Sequence, residues 1–275
     1  MKTTAHIALI ALGLSAAPAL AQDFGGNVAL GYGTYHLDSN ADDYENTFLL
    51  ATTITGSIGA RFGDFGSQLD LASFDSKAAD GDPNSSFSGG VVHLFYNISD
   101  YDVGVFYGMA GTDHQSGGDT ADVTWYGLEM ARDFGQYSIA AQIGLADSDN
   151  SHSSIDFANE FMFGAEASYD HDSDLTFVGG LASSGGEIHS DTDFKFTNVW
   201  VEASYDIGST DFESFARVDY YIATGDGEVD NDRLTEASIT LGFRYEFGNQ
   251  ASTPMMDSMI PAYTALATST YDEAV

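Results

Sequence analysis

The amino-acid sequence predicts an all-β chain: a transmembrane, antiparallel, up-and-down β-barrel of about twelve strands. Three observations carry the prediction. Segment after segment alternates apolar and polar residues with a period of two. Short turns alternate with long acidic loops along the chain. After residue 21, no stretch approaches the ~20 uninterrupted apolar residues that a spanning helix needs. A chain of this kind can sit in a bilayer only as a closed barrel, because lipid cannot satisfy open strand edges.

The N-terminus reads as an export address. Lys2 supplies a positive start, Ile7 to Leu14 form an apolar stretch, and Ala19-Leu20-Ala21 has the A-x-A form of a cleavage site. The expectation is a cleaved signal peptide over 1–21, a barrel over 22–248 and a tail over 249–275 that is flexible and periplasmic or folds back towards the lumen. The exported chain has no cysteine, so strand pairing and burial must hold it without disulfides. Its 42 acidic residues against 8 basic ones give a formal charge of −34, which argues against nucleic acid as a partner. The acidity also suits salty surroundings, where repulsion is screened.

Acidic, Ser/Gly/Asn-rich stretches recur at 38–45, 75–86, 112–121, 147–156, 183–193 and 225–233. Between them lie tight turns at 63–66, 99–102, 133–136, 170–174 and 207–210, rich in the residues that tolerate turn dihedrals. Six loops and five turns make eleven connections and therefore twelve strands, with both ends of the barrel chain on one side.

The strands show the alternation directly. Tyr126, Leu128 and Met130 oppose Gly127 and Glu129. Tyr137, Ile139, Ala141, Ile143 and Leu145 oppose Ser138, Ala140, Gln142 and Gly144. Phe161, Phe163, Ala165, Ala167 and Tyr169 oppose Glu160, Gly164, Glu166 and Ser168. Val199, Val201, Ala203 and Tyr205 oppose Asn198, Trp200, Glu202 and Ser204. Ala216, Val218, Tyr220 and Ile222 oppose Glu213, Arg217 and Asp219. In a soluble sandwich the apolar faces would be buried. In a membrane barrel they meet lipid, and the polar faces line a wet lumen. Phe62, Phe65, Tyr101, Phe134, Tyr137, Tyr169, Tyr205, Phe212, Tyr245 and Phe247 lie beside the short turns, as an interfacial aromatic belt requires. The tail, with Pro254, Pro261 and three methionines, loses the alternation and predicts no further strand.

The last strand has Ala237, Ile239, Leu241, Phe243, Tyr245 and Phe247 on one face. Its end, Thr240-Leu241-Gly242-Phe243-Arg244-Tyr245-Glu246-Phe247, resembles the C-terminal assembly signal of bacterial outer-membrane proteins, with Thr240, Gly242, Tyr245 and Phe247 at the motif positions. Together with the leader, the hairpin rhythm and the acidic loops, it makes residues 22–247 resemble the Gram-negative porins, particularly the alphaproteobacterial type. That resemblance implies an outer-membrane location with the short turns periplasmic. It also implies handling by the barrel-assembly machinery and passive diffusion of small hydrophilic solutes. The long inward-folded third loop of familiar porins has no evident counterpart here.

The face opposite lipid carries Asp70, Asp102, Glu129, Glu160, Glu166, Glu202, Glu213, Asp219, Glu236 and Glu246, against Arg61, Arg217 and Arg244. Rings of carboxylates in a pore favour cations; pairing of these groups with arginine across a narrow barrel is the structural alternative. Small inward residues such as Gly108, Gly127, Gly180 and Gly242 argue for an open lumen. No metal, cofactor or catalytic step is expected. The stretch 226–232 alternates oxygen ligands but lacks the glycine and distal glutamate of an EF-hand loop. Only His36 and His93 fall on strands away from turns, and no G-x-S-x-G occurs. The alternative function is a closed or plugged barrel whose acidic loops act in adhesion or membrane stability.

Overall fold

The computed structural model describes residues 23–39, 47–78, 84–114, 120–149, 155–156, 160–172, 174–188, 192–208, 210–226, 233–249 and 255–256. The expected signal peptide, the tips of the acidic loops and 257–275 lie outside these residues, as does nearly all of the stretch weighed for calcium.

Twelve long strands form the wall: β1 (Asp23–Ser39), β2 (Thr47–Phe62), β3 (Phe65–Ala78), β4 (Asn84–Ile98), β5 (Tyr101–His114), β6 (Thr120–Asp133), β7 (Tyr137–Asp149), β9 (Glu160–Asp172), β10 (Leu175–Ile188), β11 (Thr192–Asp206), β12 (Phe212–Asp226) and β13 (Arg233–Gly248). Each pairs antiparallel with its sequence neighbours, and β13 pairs with β1 from Gly25↔Gly248 to Ser39↔Leu234, so the sheet closes on itself. A two-residue strand, β8 (Ile155–Asp156), pairs with the end of β10 beyond the reach of β9. The predicted all-β barrel of twelve strands is therefore the fold. Among the described residues there is no helix.

The short turns carry the dihedrals that let antiparallel strands keep their twist. Ser99 and Asp100 both have positive φ, and Gly63 supplies the positive φ at the first position of its two-residue turn. Both chain ends of the wall lie on this turn side, where the Asn249 N–H donates to the Phe24 carbonyl at 2.9 Å.

The barrel is apolar outside. Leu30, Tyr32, Leu128, Phe161, Val201, Leu241 and Phe243 are among many large apolar side chains left exposed, a distribution that lipid matches and water does not. On the turn side the aromatic belt is continuous. Tyr137 stacks on Tyr169 at 4.7 Å, and Phe212 lies 4.9 Å from Tyr245. Arg132 points outward within this belt, between the rings of Tyr101 (4.4 Å) and Phe134 (4.5 Å).

The interior corrects one expectation: the inward glycines do not leave space. A Cβ on Gly108 would collide with the Trp125 ring, one on Gly180 with Trp200, one on Gly66 with Phe95, and one on Gly242 with Phe215. Each glycine is the direct cross-strand partner of the ring that covers it. The glycines seat large aromatics, and Trp125 and Trp200 join Tyr35, Phe74, Phe87, Val91, Phe106, Val123 and Met162 in a buried apolar layer in the lumen. Of the tail, Met255 and Met256 are described. Met255 and Met256 are buried inside the barrel, 5% and 4% exposed.

Candidate functional site

The carboxylates, arginines and His93 of the lumen come from alternate positions on nine strands. Every carboxylate and arginine named from the sequence as pore-lining lies on the inward-facing set, because strand pleating leaves no other choice once the apolar face points out.

Four groups organise them. Arg61 on β2 reaches across β3 and β4 to Asp102 on β5 in a bidentate pair of 3.0 and 2.7 Å, and lies 4.9 Å above the Phe95 ring. The Asn97 amide donates to the same carboxylate at 3.1 Å. Arg244 on β13 binds Glu202 at 2.6 Å and Glu213 at 2.9 Å, over Phe215. Arg217 on β12 binds Asp219 at 2.8 Å, over Trp200. Each guanidinium is thus neutralised on its edge and stacked on its face, which fixes it against the wall.

The fourth group is centred on His93, which is completely buried. Its Nδ1 lies 2.8 Å from Glu129 Oε2 and its Nε2 lies 2.9 Å from Asp70 Oδ2. The second contact falls off the ring N–H axis. Asp70 in turn accepts from Gln68 Nε2 at 2.9 and 3.0 Å. With a carboxylate at each ring nitrogen, the imidazole has no nitrogen left to activate a hydroxyl.

A cavity of about 300 Å³ opens beside these groups. Its lining includes Asp70, Glu166, Glu202, Asp219, Glu246, Arg217 and Arg244, and also Met255 and Met256. Asp102 and Arg61 lie apart from it. Glu129 reaches it only through His93 and Asp70, and Glu160 and Glu236 face inward without being among its lining residues. Among the described residues, Glu166, Glu236 and Glu246 form no ion pair. No group of acidic and histidine residues among those described has metal-site geometry.

In the motif 240–247, Thr240 and Gly242 face inward, with Gly242 beneath Phe215, while Tyr245 and Phe247 join the outer belt. The sequence reading missed Gln68 and the structural part of His93. The parity of β4 carried the signal: Leu94, Tyr96 and Ile98 face out, which turns His93 and Phe95 in.

No protein-family model matches the chain, and no characterised protein matches it by sequence. Solved structures share its fold. An outer-membrane channel from Pseudomonas putida F1 superposes with a TM-score of 0.52 at 11% identity, over 81% of this chain and 96% of that one. The KdgM porin (TM-score 0.41, 13% identity, 79% and 99% covered) and the CymD monoaromatic hydrocarbon channel (0.44, 10%, 83% and 90%) are more distant in shape. The fold is therefore a closed antiparallel β-barrel, the fold of this outer-membrane channel. At these identities the likeness is one of fold.

Proposed function

We propose that the chain is an outer-membrane channel through which small hydrophilic solutes diffuse, with cations preferred over anions. The observation that carries this reading is the charge balance of the inner wall. All three inward arginines are held by carboxylates, while Glu166 and Glu246 face the cavity with no ion-pair partner among the described residues. In a lumen of lower dielectric than bulk water, that excess attracts cations and repels anions. In this reading the chain is exported by a cleaved leader, and the barrel-assembly machinery inserts it into outer-membrane lipid through the Thr240–Phe247 motif. It performs no catalytic step, consistent with the doubly engaged ring of His93.

One observation favours the second reading, a closed barrel whose acidic loops do the work. Val91, Val123 and Trp125 in the apolar layer are completely buried, so the lumen is not a uniform wet tube. Full-length protein in lipid vesicles separates the two. Uptake of a small organic cation, a neutral solute and an anion of matched size should fall in that order. No uptake of any of the three would establish the closed barrel, and fastest uptake of the anion would overturn the charge argument.

A further inference from the structure

Met255 and Met256 lie in the lumen, yet neither is on a wall strand. What holds them is specific. The Met255 N–H donates to Gln68 Oε1 at 3.0 Å, and the Met255 carbonyl accepts from Gln68 Nε2 at 2.9 Å. A single buried side-chain amide therefore reads a peptide backbone at two points, as a neighbouring strand would. Its orientation is not free. Nε2 must face Asp70, which only accepts, so Oε1 is left for an N–H donor. Asp70 is steadied by His93, and His93 by Glu129. This buried chain of three ionisable groups is thus the backing of the Gln68 amide.

The side chains are seated as well. Met255 packs with Phe95 and Ala131, and Met256 joins the apolar layer that includes Phe106 and Trp125. Unbranched thioethers suit such an irregular gap between rings. Both methionines also border the 300 Å³ cavity.

We propose that the lumen holds a binding seat for a peptide segment bearing unbranched apolar side chains. Its occupant is Met255-Met256 of the same chain, which acts as a removable stopper between the cavity and the rest of the lumen. The seat stands on its own geometry; its consequence for transport rests on the channel reading.

The chain has no cysteine, so Met256→Cys introduces a unique thiol into the full-length protein. Asp64→Cys, in an exposed turn, gives the reference rate. In folded protein, verified by its gel mobility before and after heating, a small water-soluble maleimide should modify the thiol at 256 at least about tenfold more slowly than the thiol at 64, because it must wait for local opening. Adding Gln68→Leu should bring the rate at 256 towards that at 64. Adding Met255→Pro instead should do the same, since it removes the N–H that Gln68 accepts and leaves the wall untouched. Equal rates at 256 and 64 without these additions would overturn the proposal, as would protection that neither addition relieves. In bilayers, the two additions should also raise conductance. If they free the thiol and no conductance is seen with or without them, the seat stands and the channel reading falls.

Discussion

Replacing Leu241 with arginine puts a charge where the account places lipid. Leu241 is 61% exposed on the outer face of β13, with Tyr32 as its cross-strand partner and Ile239 and Phe243 beside it, all exposed and apolar. Its depth follows from strand geometry. Tyr245, in the turn-side belt, is four residues away; at ~3.3 Å per residue along a strand tilted by ~40°, that is about 10 Å towards the membrane centre. An apolar band ~25 Å tall puts its midplane close to this level, where arginine costs about 2–4 kcal/mol. The expected effect is a loss of about 30- to 700-fold in the folding equilibrium, at tenfold per ~1.4 kcal/mol. Ala237 shares the same face four residues nearer the loop end. There the same change should cost only about 0–1 kcal/mol, because the side chain can reach the interface. Thr240 is not the comparison to use: it is buried inside the barrel against Gly31 and Gly33, so arginine there would overpack. Urea unfolding and refolding in lipid vesicles, followed by the fluorescence of Trp125 and Trp200, measures the difference. Equal costs at 241 and 237, or no cost at either, would refute a lipid-facing band and with it the membrane orientation of every strand.

Other expectations follow from the interior. His93→Leu leaves Asp70 and Glu129 buried without their shared partner and should cost about 3–5 kcal/mol in the same unfolding assay; no loss would show that the three do not act as a unit. Gly180→Ala drives a methyl group into the Trp200 ring and should cost about 1–3 kcal/mol and shift tryptophan emission. Gly179→Ala, whose added carbon meets nothing nearer than 3.6 Å, should do neither. Phe247→Ala should impair assembly in cells far more than ending the chain at Gly248, with refolding in vitro much less affected. The reverse order would make 240–247 an ordinary alternating strand.

The strand faces were legible because the backbone imposes them. Once Leu241, Phe243 and Tyr245 point to lipid, Thr240, Gly242 and Arg244 must point in, and every predicted inner carboxylate obeys this rule. The filling of the lumen was not legible, and the reason is register. Gly66↔Phe95, Gly108↔Trp125, Gly180↔Trp200 and Phe215↔Gly242 all pair strands joined by the long acidic connections rather than by the short turns. A two-residue turn such as Gly63-Asp64 fixes which residues face each other, whereas a long loop leaves the offset open. Read alone, an inward glycine is indistinguishable from empty space; read with its partner, it is the seat of a ring. The two bonds between Gln68 and Met255 are harder still to foresee, because their partners are 187 residues apart and neither belongs to a recognisable motif.

The central claim concerns which ions the inner wall favours, and the reversal potential across a planar bilayer held in a KCl gradient tests it most directly. The full-length protein should favour potassium over chloride, with the preference weakening as salt is raised and the fixed charges are screened. Glu166→Gln combined with Glu246→Gln, which removes the two cavity carboxylates outside the ion pairs, should move the potential towards zero. A potential of the sign for chloride in the unmodified protein, or one that the double change leaves where it was, would contradict the account.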